Sequence, residues 1–471
     1  MNKTTSMVAM TTESEKLGRF ALDLALADVP ADVLALAKEH LLDALGIALA
    51  SSRFDFGRSI LRGAQALGEG GQATAIGSGA RLPAASAALV NGVLAHGLDF
   101  DDTHIGAVYH ATSPALAAAL AAGEANGASG AEVLLAFTAA LEIGCRLATV
   151  GAGAFHDRGF HPTSLCGTFA AASVAGRLAK VDPTTMAWAL GLCGSQASGI
   201  LERGTSWLKR LHPGWAAHSG LSAMALARAG FTGPETVLEG ARGFYATHIE
   251  RVPTGADLPS HDLGRTWQTR GIALKPYPCC HFIHGFVDAA LELRGQVELD
   301  RVARIECPLT PGLHKMVAEP HERCIRPSNP YEAMFSVQYV TATALVRGRV
   351  DLATFFDDAL DAPDVLAVAA RIRCVPDPAS DYPVHFPGEV AAHLEDGSVI
   401  RVRKPTSLGT PETPLARPAI EEKFLKNATR AIAAGAAERL IDAVYDIERA
   451  PSLAAIMALC TSAPSRAAAL T

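Results

Sequence analysis

Charge is scarce in this 471-residue chain and aromatic rings are scarcer: 19% of residues are charged and 6% are aromatic. What charge there is leans acidic, with 41 Lys and Arg against 48 Asp and Glu and a formal net charge of −7. Such a balance lacks the positive field that gathers phosphate backbones or anionic lipid, so no nucleic-acid and no membrane partner is expected. No uninterrupted apolar run reaches the length of about 18 residues that spans a bilayer. The opening stretch MNKTTSMVAMTTESEK carries Glu13 and Glu15 where a signal peptide has its apolar centre. The nine cysteines form no Cys-x-x-Cys pair, which excludes a zinc ribbon and a disulfide framework and leaves a reduced, cytoplasmic protein as the expectation. A Gly-x-x-x-x-Gly-Lys phosphate loop and a dinucleotide fingerprint are also missing, so no cofactor is expected.

Apolar residues make up 49% of the chain, alanine foremost, and its length exceeds one compact core. Apolar spacing of 3 and 4 predicts helices over 17–26, 33–49, 60–67, 84–98, 114–123, 131–149, 168–178, 183–193 and 218–229. Most are apolar on nearly every face, so they must bury one another. Near residue 270 the pattern changes. Alternating stretches at 302–307, 372–375, 389–394 and 398–402 predict strands, the last two joined as a hairpin by Glu395-Asp396-Gly397, with helices at 282–293 and 330–346 between them. Helical sequence returns at 418–434 and 436–444. The expected architecture is mainly α: a helical domain over 12–269, an α+β domain over 270–405, and a C-terminal helical part over 406–455, with 456–471 as a frayed tail.

Four segments concentrate the chemistry. The first, NGVLAHGLDFDDTHIGAVYHATSP at 91–114, holds Asp99, Asp101, Asp102, Thr103, His104 and His110 just ahead of an alanine-rich helix. A helix entrance of this kind welcomes anions. Asp99-x-Asp101-x-Thr103 also matches the nucleophile signature of magnesium-dependent phosphatases, a reading of a different class. That signature needs a buried strand before it, and Leu94-Ala95-His96-Gly97-Leu98 reads as a helix end. In the second, His161 precedes Pro162, which holds it extended at the mouth of a small-residue helix. The third is a basic turn, Lys209 to Gly220, with His212 and His218; Lys209 sits among Trp207, Leu208 and Leu211, a setting that desolvates an ammonium. The fourth, KPYPCCHFIH at 275–284, brings Cys279, Cys280, His281 and His284 together. It reads as a hinge between domains, a poorly spaced Cys/His zinc site, or a cysteine nucleophile at a helix start.

A polar turn bearing histidine or lysine before an apolar helix, repeated four times, suits one metal-free pocket for a small polycarboxylate. These segments, HGLDFDDTH with His110, GFHPTS, LKRLHPGWAAHSG and KPYPCCHFIH, together with GFTGPETVLEGARGF and YEAMFSVQYVTATAL, resemble the MmgE/PrpD family. The resemblance runs in order from about residue 12 to 450. It implies a large all-helical domain built from both chain ends, a smaller α+β lid domain inserted before the C-terminal helices, and a homodimer. Family activities include dehydration of 2-methylcitrate, decarboxylation of cis-aconitate and epimerisation of iminodisuccinate. The resemblance puts Asp99, Thr103, His110, His161 and Lys209 around the substrate, where they are expected to be catalytic, and places a hinge catalytic position on Cys280 or, one residue along, on His281. His212, Cys280, His281 and His284 are expected to bind substrate.

The expected activity is therefore a cofactor-independent lyase, a dehydratase or decarboxylase, on a small di- or tricarboxylate. His161 or Lys209 would exchange a proton at the carbon next to a carboxylate, and His110 with Asp99 and Thr103 would orient or protonate the other side. Lys209 and His212 would hold substrate carboxylates. An epimerase or racemase needs only the proton-transfer half of this chemistry and is the nearest alternative. The magnesium phosphatase using Asp99 and Asp101, and a non-catalytic protein of the same fold, are the alternatives from other classes.

Overall fold

The computed structural model describes residues 11–202 and 206–461. The protein is mainly α-helical. Its contacts divide it into two compact units. The larger takes the chain as far as His96, then Ala107–Arg270, then the chain from Ala428 onward; the smaller takes Gly97–Gly106 and Gly271–Asn427. The smaller unit thus continues past residue 405, and it takes in ten residues of the first motif.

In the larger unit, helices Ala84–His96, Thr112–Asn126, Gly130–Val150, Pro162–Leu178 and Leu208–Arg228 pack against one another. Thr112–Gly123 and Pro162–Gly176 are buried without interruption, as expected of helices that are apolar or small on every face. Small residues let the axes approach. A Cβ on Gly92 would stand 2.6 Å from the Cα of Gly214, and one on Gly214 would run into the Leu89 carbonyl, so the helices ending in His96 and beginning at Leu208 touch backbone to backbone. One helix, Gly130–Val150, is long and apolar enough to cross a membrane, but it is almost wholly buried within the protein. A search for uninterrupted apolar runs passes over it because Glu142 and Arg146 break the run. Those two form a buried ion pair at 2.6 Å. Arg146 also donates to the carbonyls of Pro259, His261, Asp262 and Thr266, tying the loop before residue 270 to this helix.

Most helices fall where apolar periodicity places them. The exception matters for the site. The basic segment at 209–217 is not a turn; it is the start of helix Leu208–Arg228, which continues through Pro213. Proline lacks the N–H that would bond the Lys209 carbonyl and its ring crowds that carbonyl, which is why the sequence pattern reads as a break there. The predicted helix at 330–346 is two pieces, Pro330–Met334 and Val337–Arg347, the second capped by the Ser336 hydroxyl accepting from the Tyr339 N–H at 2.9 Å.

The smaller unit is built on a four-stranded sheet: β1 (Val302–Leu309), β2 (Ile372–Pro376), β3 (Gly388–Leu394) and β4 (Val399–Lys404), in the order β2-β1-β3-β4. β1 runs parallel to β2 and antiparallel to β3, and β3–β4 is the expected hairpin. Helix His284–Leu293 lies against β3, where a Cβ on Gly285 would come 2.6 Å from the Gly388 nitrogen. Its core joins Phe286, Val287 and Leu293 of that helix to Ile305 and Cys307 of β1, Val390 of β3 and Val340 of Val337–Arg347. Thr103 and His104 pair antiparallel with Ala273 and Ile272, which anchors the aspartate-rich loop in this unit.

Candidate active site

The catalytic-type residues form two buried sets, one in each unit. In the larger unit four histidines meet. His96 ends its helix, His110 precedes Thr112–Asn126, His161 caps Pro162–Leu178, and His212 lies one turn into Leu208–Arg228. All four are buried. Ring centroids are separated by 4.6 Å for His96–His110, 5.8 Å for His110–His161, 5.9 Å for His96–His161 and 5.0 Å for His161–His212.

Local structure explains why His161 holds still. The residue before a proline is pushed to extended backbone, and His161 has φ −96° and ψ 108° with Pro162 opening the helix. Its N–H donates to the Gly199 carbonyl at 2.9 Å, and its carbonyl accepts from the Ser164 N–H at 3.0 Å. His110 is tied to the same helix: its N–H donates to the Thr163 hydroxyl at 3.1 Å. The His161 and His212 Nδ1 atoms are 2.9 Å apart. Lys209, partly buried, lies one helical turn before His212.

Burial, then the positive charges of Lys209 and of the other three imidazoles, pushes His161 well below the usual histidine range. Burial, with His96 and Lys209, brings His212 down to about 4. Both rings are neutral near pH 7. His161 and His212 therefore act as proton acceptors near neutral pH, while the charge beside them that can meet a substrate anion is Lys209. One nitrogen each from His96, His110 and His161 can be grouped within 4.8 Å, near enough to share a divalent cation. The Lys209 charge and the engagement of His161 Nδ1 with His212 work against a cation and favour an anion.

In the smaller unit, Asp99 sits in left-handed backbone, φ 52°, and is buried with Asp101, Asp102 and Thr103. Two buried lysines hold this loop by consecutive carbonyls. Lys275 Nζ donates to the Asp99 carbonyl at 2.8 Å and stands 3.8 Å from its carboxylate. Lys423 Nζ donates to the Phe100 carbonyl at 3.0 Å and lies 3.8 Å above the Phe100 ring centroid. Thr103 Oγ1 has no hydrogen-bond partner among the described residues. His281 and His284 stack with centroids 4.7 Å apart, and His284 Nε2 contacts the Cys279 carbonyl at 3.2 Å. Burial and the Lys275 charge lower His281 to about 3, against an upward pull from Asp99; burial, His281 and Lys275 hold His284 well below the usual histidine range. Neither ring nitrogen of His281 has a hydrogen-bond partner among the described residues.

This set corrects the cysteine-nucleophile reading and agrees with the helix end expected before Asp99. Burial raises the Cys279 thiol well above its ordinary range, the opposite of a reactive thiolate. The segment before Asp99 is the helix Ala84–His96, so the phosphatase signature lacks its strand. His96, Lys275 and Lys423 join these sets without having been singled out by motif. His96 was legible as a histidine closing a helix with no other polar residue but Ser86 and Asn91. Lys275 was legible as a cation directly after the apolar Ile272-Ala273-Leu274. Lys423 carried no signal, since Lys-Phe-Leu-Lys in a charged helix reads as a solvated face.

A helical unit drawn from both chain ends and an inserted α+β unit, carrying buried His/Lys and Asp/Lys sets respectively, define a class that comparison with known families makes specific. The MmgE/PrpD N-terminal domain matches residues 15–254 and the MmgE/PrpD C-terminal domain matches residues 277–449. The chain belongs to the MmgE/PrpD family. It is 27% identical over 470 residues to a cis-aconitate decarboxylase of Aspergillus terreus, covering 95% of each chain. It is 30% identical over 383 residues to the cis-aconitate decarboxylase of Homo sapiens, covering 78% of this chain and 77% of that one. To a 2-methylcitrate dehydratase of Cupriavidus necator it is 28% identical over 190 residues, 37% of each chain.

Proposed function

We propose that this protein is a cofactor-independent lyase that decarboxylates or dehydrates a small di- or tricarboxylate by histidine and lysine acid–base chemistry. The observation that carries the reading is the buried cluster of His96, His110, His161 and His212 beside Lys209. Loss of carbon dioxide from a carbon conjugated to a carboxylate leaves an electron pair that must be protonated. Loss of water begins with removal of a proton from such a carbon. Either way one proton moves at carbon, and an imidazole held neutral until a polyanion arrives is suited to moving it. His161 takes that role, Lys209 meets a substrate carboxylate, and His110 orients the leaving side. Asp99 and Thr103 are proposed as orienting groups, in keeping with their place in the family resemblance.

Decarboxylation of a cis-aconitate-like acid is the better supported branch, because the relatives aligned over most of their length are decarboxylases and the dehydratase aligns over 37%. The deciding experiment is proton NMR of the purified protein with cis-aconitate, 2-methylcitrate, citrate and iminodisuccinate in deuterated buffer. Carbon dioxide loss with one deuteron incorporated is expected; water loss selects the dehydratase. Deuteration with no elimination selects epimerisation, and no turnover of any acid overturns the lyase. The homodimer belongs to this proposal, and light scattering at twice the 49.1 kDa chain mass tests it.

A further inference from the structure

We propose that His212 is a positioning residue for proton transfer: it shares one proton with His161, Nδ1 to Nδ1, so that the two rings accept and release a proton as a pair. This rests on the reading of His161 as the group that moves a proton at the substrate.

Two imidazole nitrogens 2.9 Å apart are compatible only with one hydrogen between them. Two bare nitrogens would repel, and so would two N–H groups. The pair therefore exists as a neutral form with one shared proton, or as a cation with that proton and an N–H on each Nε2. The backbone sets this contact from both sides. His161 is fixed by Gly199 and Pro162, while the His212 carbonyl accepts from the Ser164 hydroxyl at 3.2 Å, on the same helix that His161 caps. A Cβ on Gly199 would stand 3.5 Å from His212 Cδ2 and would crowd Ser164, so glycine there keeps the rings in place. His212 Nε2 is buried and has no hydrogen-bond partner among the described residues, so Nδ1 is the nitrogen the fold has placed. The charges that act on the pair come from Lys209 and His96 on both rings and from His110 on His161, and each disfavours a second positive charge there.

The step balances within the two rings and the substrate. In the neutral form with the shared hydrogen on His161 Nδ1, His161 Nε2 holds a lone pair. It takes a proton from the substrate carbon: the C–H bond breaks, its electron pair stays with the carbon and the adjoining carboxylate, and an N–H forms. The shared proton then crosses to His212 Nδ1, which carries the positive charge away from the substrate side. For decarboxylation the pair starts as the cation, having taken a proton from solvent. The C–CO2 bond breaks, its electron pair stays on the carbon, His161 Nε2–H protonates that carbon, and the shared proton returns to His161 Nδ1, leaving the pair neutral. His212 thus acts through His161, not on the substrate carboxylate.

The test uses full-length wild type, His161→Leu, His212→Leu and His212→Asn. With histidine labelled in ¹⁵N and no substrate present, wild type should show one downfield N–H proton coupled to nitrogens of two rings, lost in both leucine variants. Its absence from folded wild type overturns the pair, whichever acid is the substrate. With the acid that is turned over, His212→Leu should lower kcat by about 10²-fold, the scale of an impaired acid–base group, leave KM within about twofold, and move the acid limb of the kcat–pH profile. His212→Asn places an amide near Nδ1, holds the His161 ring without carrying a proton, and should recover part of kcat. A raised KM with unchanged kcat, or an unmoved pH profile, overturns the relay. Should His212→Leu fail to fold, the asparagine variant and the wild-type resonance decide. Failure of every acid to turn over refutes the lyase reading while the resonance still decides the pair.

Discussion

The Lys275 ammonium donates to the Asp99 carbonyl at 2.8 Å and stands 3.8 Å from the Asp99 carboxylate, with both side chains almost fully buried. One cation therefore serves two purposes. It satisfies a carbonyl in a residue bent into left-handed backbone, and it sets a positive charge beside a buried carboxylate.

Removing one partner of such a buried pair weakens the compensation of the other charge, at a cost of up to about 3–5 kcal/mol. Lys275→Met should destabilise the protein on that scale in urea unfolding. Asp99→Asn in the same background removes the stranded charge and should recover part of the loss. A double variant no more stable than Lys275→Met would show that the carbonyl contact, not the ion pair, is what Lys275 supplies.

Acid should unfold this protein through its buried imidazoles. His281 titrates near 3 and His212 near 4 in the fold, while both return toward the ordinary histidine value near 6.5 on unfolding. The unfolded chain then binds more protons, so stability is complete above about pH 6.5 and is lost as pH falls toward 4 and below. The slope is about 1.4 kcal/mol per pH unit for each proton involved. Thermal unfolding between pH 7 and pH 4 should show the fall, and His281→Leu should flatten it relative to wild type. An unchanged slope would count against His281 as a contributor.

Much of this was legible from residue pattern. Fully apolar helices had to be buried, and the strands at 302–309 and 388–404 announced the α+β unit by alternation. The dipeptide His161-Pro162 dictated an extended histidine at a helix mouth, and the structure has it so. Illegible features were those that depend on contacts far apart in the chain. Pro213 and Gly214 read as a break, yet Gly214 is there because Gly92 presses on it, and the helix passes through both. Lys423 lies in a charged helix and gives no local sign that Phe100, 323 residues away, will sit beneath it. The shift of the smaller unit's edge to Asn427 has the same cause.

That close approach yields a separate prediction. Gly214→Ala forces a methyl against the Leu89 carbonyl, backbone that cannot swing aside. Overpacking of this kind costs about 1–3 kcal/mol. Because the displaced helix carries Lys209 and His212, kcat should fall in parallel with the loss of stability measured by urea unfolding. Gly63→Ala meets nothing within 4 Å and serves as the control. Equal stability of the two variants would refute the contact.

Metal removal separates the acid–base reading from metal-assisted hydrolysis. On the proposed reading, in which His161 moves the proton and Lys209 meets a carboxylate, dialysis against EDTA should leave turnover of the carboxylate substrate unchanged. Loss of activity restored by added zinc would reassign His96, His110 and His161 as ligands, whose nitrogens can come within 4.8 Å of one another.

The sharpest division lies between His161 and Lys209. His161 is wholly buried and caps a helix through its backbone, so His161→Ala keeps the N–H bond to Gly199 and the carbonyl bond from Ser164 while removing the ring. Lys209 is only partly buried, and Lys209→Ala removes a charge near the helix surface. Both variants should fold, as judged by far-ultraviolet circular dichroism and thermal melts. Turnover should drop by about 10²–10⁴-fold in His161→Ala, the range for a lost proton-transfer group. Lys209→Ala should act chiefly on KM if it binds a carboxylate and chiefly on kcat if it also moves the proton. Lys209→Ala removes a positive charge that holds the His161 proton affinity down, so any remaining activity should show its acid limb at higher pH than wild type. Near-normal rates in both variants would place the chemistry elsewhere in the molecule.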